Sequence, residues 1–155
     1  MVDAAEQARS VGLIDSYWWI GAGSGDVGQD VVDTLAWVGG INFGIGWKQS
    51  MMRARPSGLL EVDMSSGWVG GHAIYGFEHV WRSPLKGEGT KPLDVVWLQQ
   101  SWGPEEGVKR RGYTGCVAIK MEDLVKLLLM PGYWAGEGVV LREVAAWFQL
   151  SATIV

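Results

Sequence analysis

Between Ile41 and Trp47 the residues Ile41, Phe43, Ile45 and Trp47 alternate strictly with Asn42, Gly44 and Gly46. A period of two sets four large side chains on one face of an extended strand, so this stretch commits the chain to a sheet with a covered face. The segment before it has a different period. Val27, Val31, Leu35 and Val38 share one face of a helix over about 27 to 38, with Asp26 placed to cap it and Gly39-Gly40 to stop it. Further strands are expected at Leu59 to Val62, His72 to Trp81, Val95 to Trp102 and Tyr113 to Met121, separated by loops rich in Gly and Pro. Lys48 to Ala54 reads as one or two helical turns before Arg55-Pro56, because a residue preceding proline avoids the α region. A second helix is expected from Glu122 to Met130, ending at Pro131-Gly132, and a short opening helix over residues 3 to 10. Tyr17 to Ile20 is an aromatic extended run, and Val139 to Val155 ends the chain in β-favouring residues. The order implies an α+β protein: a twisted, mostly antiparallel sheet or half-open barrel with flanking helices. At 155 residues it reads as a single domain, with an N-terminal arm or short helix over 1–25, a body over 26–130 and an extension over 131–155.

Apolar residues make up 48% and charged residues 19%, which places the chain outside the compositional range of disorder. A net charge of −4 offers no basic footprint for phosphates, so nucleic acid is not an expected partner. Lys109, Arg110 and Arg111 follow Glu105 and Glu106, and this mixed run reads as a solvated loop. The one cysteine, Cys116, cannot form an internal disulfide, and no basic-then-apolar leader is recognisable. A reducing setting follows as the expectation, cytoplasmic or virion-associated. Apolar runs such as Val144 to Leu150 are shorter than the roughly 18–20 residues that cross a bilayer, so no membrane partner is expected. Ten Trp and 23 Gly imply a core of large rings over glycine-bearing turns, or a partner-facing surface anchored by Trp.

Three motifs are weighed and set aside. Gly23-Ser24-Gly25-Asp26-Val27-Gly28 matches a dinucleotide loop, yet Lys48 stands where an acid for the ribose is needed, so a loop leading into the Asp26 cap is the better reading. His72 and His79 lie seven apart on one expected strand and so point to opposite faces, and Cys116 has no second thiol nearby; no metal is expected. No serine has the flanking glycines of a hydrolase elbow. No cofactor is expected.

The informative pair is Gly70-Gly71-His72-Ala73-Ile74-Tyr75-Gly76-Phe77 and Trp97-Leu98-Gln99-Gln100-Ser101-Trp102-Gly103, followed by Gly112-Tyr113. This pair resembles the papain-like cysteine peptidases over roughly Asp26 to Met130, in the half of that fold that carries histidine and asparagine. In the family a Gly-His-Ala strand bears the catalytic histidine, and a later strand ends Asn-Ser-Trp-Gly before a loop to Gly-Tyr. The resemblance implies that His72 stands at the imidazole position and Gln100 at that of the orienting amide, one methylene longer. It also implies that Trp102 matches the ring that shields the pair from water. The family's nucleophile opens a helix well upstream of the histidine, preceded by a glutamine of the oxyanion hole. This chain has no cysteine upstream of His72, and Cys116 falls in the strand after Gly-Tyr, where a lone thiol is a small buried hydrophobe. His72, Gln100 and Trp102 are therefore expected to be vestigial positions with no catalytic residue among them, and His79 a loop or edge residue.

Three functions stay open on this reading. The first is a non-catalytic structural or binding subunit of a larger assembly, with itself or another protein, a virus or bacteriophage particle being one setting. The second is one subunit of a split cysteine peptidase whose nucleophile comes from another chain. The third is a peptide-binding decoy or inhibitor. A half-fold should expose an apolar face where its partner half sat, and Trp18, Trp19, Trp47 and Trp68 are the candidate rings for it.

Overall fold

The computed structural model describes residues 2–12, 14–23, 25–131 and 137–143. Asp26 takes an extended conformation and its carboxylate accepts from the Gln29 N–H at 3.1 Å, which opens helix α2 (Val27–Trp37) as the sequence implies. Ser24 of the glycine-rich loop lies outside the described residues. Before α2 come helix α1 (Val2–Ser10) and strand β1 (Ile14–Gly21). After it, β2 (Ile41–Lys48) runs into a single 3-10 turn over Gln49–Met52. The remaining elements are β3 (Trp68–Ser83), β4 (Leu93–Gln99), β5 (Val108–Arg110), β6 (Tyr113–Lys120), α3 (Met121–Leu128) and β7 (Glu137–Glu143). Residues 144–155 of the β-favouring tail, and 132–136 before β7, lie outside the described set.

Among the described residues the seven strands form one sheet in the order β1-β7-β2-β3-β4-β6-β5, and every strand pair is antiparallel. The class is therefore α+β. Both faces of its middle are covered. On one face Val31 and Leu35 of α2 and Leu124, Leu127 and Leu128 of α3 pack on Ile41, Phe43 and Ile45 of β2 and on Val96, Leu98, Val117 and Ile119. On the other, Leu59, Phe77, Leu85, Val95, Trp97, Cys116 and Ala118 make a second core. No described helix is long and apolar enough to cross a membrane.

Four expectations are corrected. Leu59 to Val62 is not a strand: Leu59 makes one isolated parallel bridge to Ala118, and the Leu60 N–H donates to the Ala118 carbonyl at 2.8 Å. β6 already has β4 along one side and β5 along the start of the other, which leaves only its far end for this segment. The basic run is only in part a solvated loop: Lys109 and Arg110 belong to β5 and Arg110 is tied to Glu78 by two hydrogen bonds, at 2.7 and 3.0 Å, while Lys109 and the turn residue Arg111 are exposed. His79 is not a loop residue but pairs with Val96 inside the sheet. Lastly, Trp47 is 1% exposed and belongs to the helix-side core, while Trp68 is partly buried over Gly46 with the Lys48 ammonium 3.9 Å from its ring centroid. Of the four candidate rings only Trp18 and Trp19 stay substantially open.

The register of β3 is what makes His79 a sheet residue facing the helices. Gly76 pairs with Leu98, and then Glu78 pairs with Trp97, so one extra residue is accommodated at Phe77. The bulge reverses the alternation beyond it. His72 lies opposite Ile45 and His79 opposite Val96, both members of the helix-side core, so the two histidines share a face rather than opposing each other. Gly76 is where the strand admits the Phe43 ring: a Cβ there would overlap it, whereas at Gly70 a Cβ would meet open space.

That contrast gives a test of the packing. Gly76→Ala should cost about 1–3 kcal/mol, since Phe43 is fully buried and has nowhere to retreat. Gly70→Ala should fall within about 0.5 kcal/mol of the parent. Urea unfolding midpoints at unchanged m-value measure both.

Candidate functional site

The start of β3 places His72 beside Ile45 of β2, and its imidazole is half-buried on the helix-side face. Gln100 is the first residue past β4. Its N–H donates to the Gly115 carbonyl at 3.0 Å, holding the chain against the neighbouring strand as it leaves the sheet. This anchoring brings the buried Gln100 side chain to His72, with Nε2 of the ring 3.0 Å from Oε1 of the amide. Trp102, two residues on, lies in the loop rather than at the end of the expected strand, and its ring is 4.5 Å from His72 between centroids. Trp47 forms the other wall, edge-on at 4.6 Å from His72 and 5.3 Å from Trp102. Trp102 is 43% exposed, so the group opens to solvent on its side while Trp47 closes the floor. Gly70 and Gly71, with open space at each Cβ position, leave bare backbone just before His72.

An amide oxygen can only accept, so Nε2 carries the proton and donates it to Gln100. Nδ1 is then the basic nitrogen, and His72 makes no other hydrogen bond among the described residues. Burial among the rings pushes the imidazole pKa down, and the Gln100 bond, which favours the charged ring, only partly opposes this. The site is thus a neutral imidazole with a fixed tautomer and one free acceptor. Such a group can take a proton or hold a donor, but it needs a nucleophile to perform acyl transfer.

Cys116 does not supply one. It sits in β6 opposite Gln99, is fully buried, and packs with Trp97 and Ala118 in the core on the far side of the sheet. Burial raises its thiol pKa, more than a hydrogen bond and the charge at Arg110 lower it. A nucleophilic cysteine requires the reverse shift.

Sequence reasoning brought His72, Gln100 and Trp102 together but missed Trp47 as the fourth member. The available signal was the alternation itself, which puts Trp47 on the same face as Ile45. It also missed two polar contacts. His79 Nε2 lies 2.6 Å from Asp94 Oδ1, and the buried Glu78 carboxylate is held by Arg110 and, at 2.9 Å, by Arg111. Among the described residues no group of three or more His, Cys, Asp or Glu side chains is placed to hold a metal ion.

No protein-family model matches this chain, and no curated protein sequence matches it.

Two measurements test the site. The lowered pKa of His72 means that the folded ring binds its proton less tightly than the unfolded chain does, so the unfolded state carries more protons as pH falls past about 6.5. Stability should therefore decline on acidification through that range. His72→Phe should flatten the slope of unfolding free energy against pH there, even though it strands the Gln100 oxygen and lowers stability at neutral pH. Cys116 should resist alkylation by iodoacetamide in the native protein and react only as the chain unfolds; rapid native labelling would contradict its burial.

Proposed function

We propose that this chain is a non-catalytic protein with a half-fold like the histidine-bearing half of the papain-like peptidases, and that it serves as a structural or binding subunit of a larger assembly. The observation that carries the reading is the sheet lying between His72 and Cys116: the imidazole, its orienting amide and the shielding Trp102 are together, while the thiol is sealed in the opposite core. The β2-β3-β4-β6 arrangement supports the likeness, because β3, which carries Gly-His-Ala, neighbours β4, and the Gln-Ser-Trp-Gly segment just past β4 brings Gln100 to His72. A binding role suits a neutral imidazole with a free acceptor beside an open indole. Such a site offers one directed hydrogen bond and an apolar contact to a donor-bearing partner group.

One observation favours a second reading. Nε2 is engaged by the amide and Nδ1 is left free, which is the arrangement a base needs if another polypeptide brings a thiol to it. In this split-peptidase reading the present chain supplies orientation and proton transfer only.

Fluorogenic peptide amides and a peptidyl epoxide probe distinguish the two. The purified chain should neither turn over the amides nor take up the probe, and the native complex isolated from its source should behave the same way. Turnover lost in Cys116→Ala would overturn both readings. Turnover by the complex that survives Cys116→Ala, falls by about a hundredfold or more in His72→Ala, and places the probe on a second polypeptide would establish the split peptidase.

A further inference from the structure

The two ends of the sheet are finished differently. β5 is three residues long, its pairing slips between Val108 and Arg110, and Arg110 folds back over the Trp97 ring and onto Glu78. Shortness, irregular register and charge are devices that keep an edge from pairing with another chain. β1 has eight residues, Asp15 is its one charge, and Tyr17, Trp18, Trp19 and Ile20 fill its second half. Its own irregularity lies at the entry, between Ile14 and Ser16, so Tyr17 to Gly21 run in regular register with Leu141 to Glu137.

Among the described residues no strand pairs with the outer side of β1. α1 packs against both β1 and β7, which puts it over a face of the sheet rather than along the rim, and the Tyr17 hydroxyl donates to Glu6 at 3.3 Å. Ile20 belongs to the helix-side core, so Trp18 shares that face, while Trp19 and Tyr17 share the other, in edge contact at 5.9 Å. Trp18 is 37% exposed and Trp19 38%. Neighbouring indoles on opposite faces are thus open to a similar degree. A helix or loop docking on one face could cover only one of them, whereas a strand laid along the edge contributes side chains to both faces and covers both.

We propose that β1 pairs antiparallel with β1 of a second copy of this chain, about a two-fold axis, and continues the sheet across the dimer. Self-pairing on a two-fold must be isologous, and the strand is self-complementary in that sense. A register centred on Trp18 sets Tyr17 against the partner's Trp19 and Asp15 against the partner's Gly21. Aromatic pairs then meet across the strands and the two acids stay apart. β7 and β2 lie between β1 and the His72 strand, so the pairing leaves that site accessible. The inference rests on the assembly reading and names its interface.

Sedimentation of the full chain and cross-linking through one introduced cysteine, with Cys116 buried, test it. The wild type should sediment as a dimer at micromolar concentration. Trp18→Lys, with wild-type circular dichroism, should weaken that dimer by about tenfold or more, since a charge at the dyad faces its own copy. Opposed Cα atoms in an antiparallel pair lie roughly 4.5–5.5 Å apart, within disulfide reach, so Trp18→Cys should oxidise to a reducible dimer. Trp81→Cys, also exposed but away from this edge, should not. An oligomer unchanged by Trp18→Lys and not captured by Trp18→Cys overturns the β1 pairing and leaves the assembly reading standing. A wild-type monomer at every concentration, or a Trp18→Cys bond to a different co-purifying polypeptide, also overturns it; the assembly reading is then judged on whether the native complex exists.

Discussion

Val95, Val96, Trp97 and Leu98 are four consecutive buried residues, and a strand can bury them all only where both faces of its sheet are covered. β6 repeats the pattern from Cys116 to Ile119. The helices α2 and α3 close one face; Leu59, Leu85 and the β5 region close the other. Any side chain on these strands is assigned to one compartment or the other, with close-packed backbone in between. His72 and Gln100 fall on the helix side and Cys116 on the far side, so the separation of base from thiol is a consequence of the packing. Local motion could not reverse it without turning a strand over.

The bulge at Phe77 lets the sixteen-residue β3 serve both compartments. Up to Gly76 its inward residues are His72 and Ile74, level with β2. Past the bulge, Glu78 is directed toward the far core, where its carboxylate would be a costly isolated charge. Arg110 and Arg111 answer it, and Arg110 also lies over the Trp97 ring, 4.8 Å from guanidinium carbon to centroid. This ties the end of β5 to β3 across the width of β4 and β6. Arg111 holds its place with a positive φ of 48°, a backbone conformation that side chains other than glycine seldom adopt.

What could be read in advance follows the range of the interactions. Asp26 and α2, the alternation in β2, and the strand around Cys116 are determined by neighbours within a few residues, and the sequence carries them. The meeting of His72 with Gln100 spans 28 positions and was legible only through the spacing of the Gly-His-Ala and Gln-Ser-Trp-Gly segments. Where a long-range partner decides, the local signal misleads. Arg110 looks solvated until Glu78, more than thirty residues away, is set beside it. Leu59 to Val62 has the composition of a strand but finds β6 already occupied along most of its length. The parity count that set the two histidines on opposite faces was sound for a regular strand and failed at one inserted residue, which Gly76 and Phe77 do not announce.

The balance of forces on His72 bears on the choice between binding and catalysis. Two contributions act on the ring: withdrawal from water by Trp47 and Trp102, which favours the neutral form, and the Gln100 bond, which favours the charged one. The first is larger. A carboxylate in place of the amide would add a full opposing charge and favour the imidazolium. Gln100 offers only a dipole, which orients the ring and raises its basicity by less than burial lowers it. An oriented, weakly basic imidazole with an open tryptophan beside it is well suited to accept a hydrogen bond from a bound group. To become a proton carrier it would need a charged partner, such as a thiolate, brought within reach of Nδ1 by something other than this sheet.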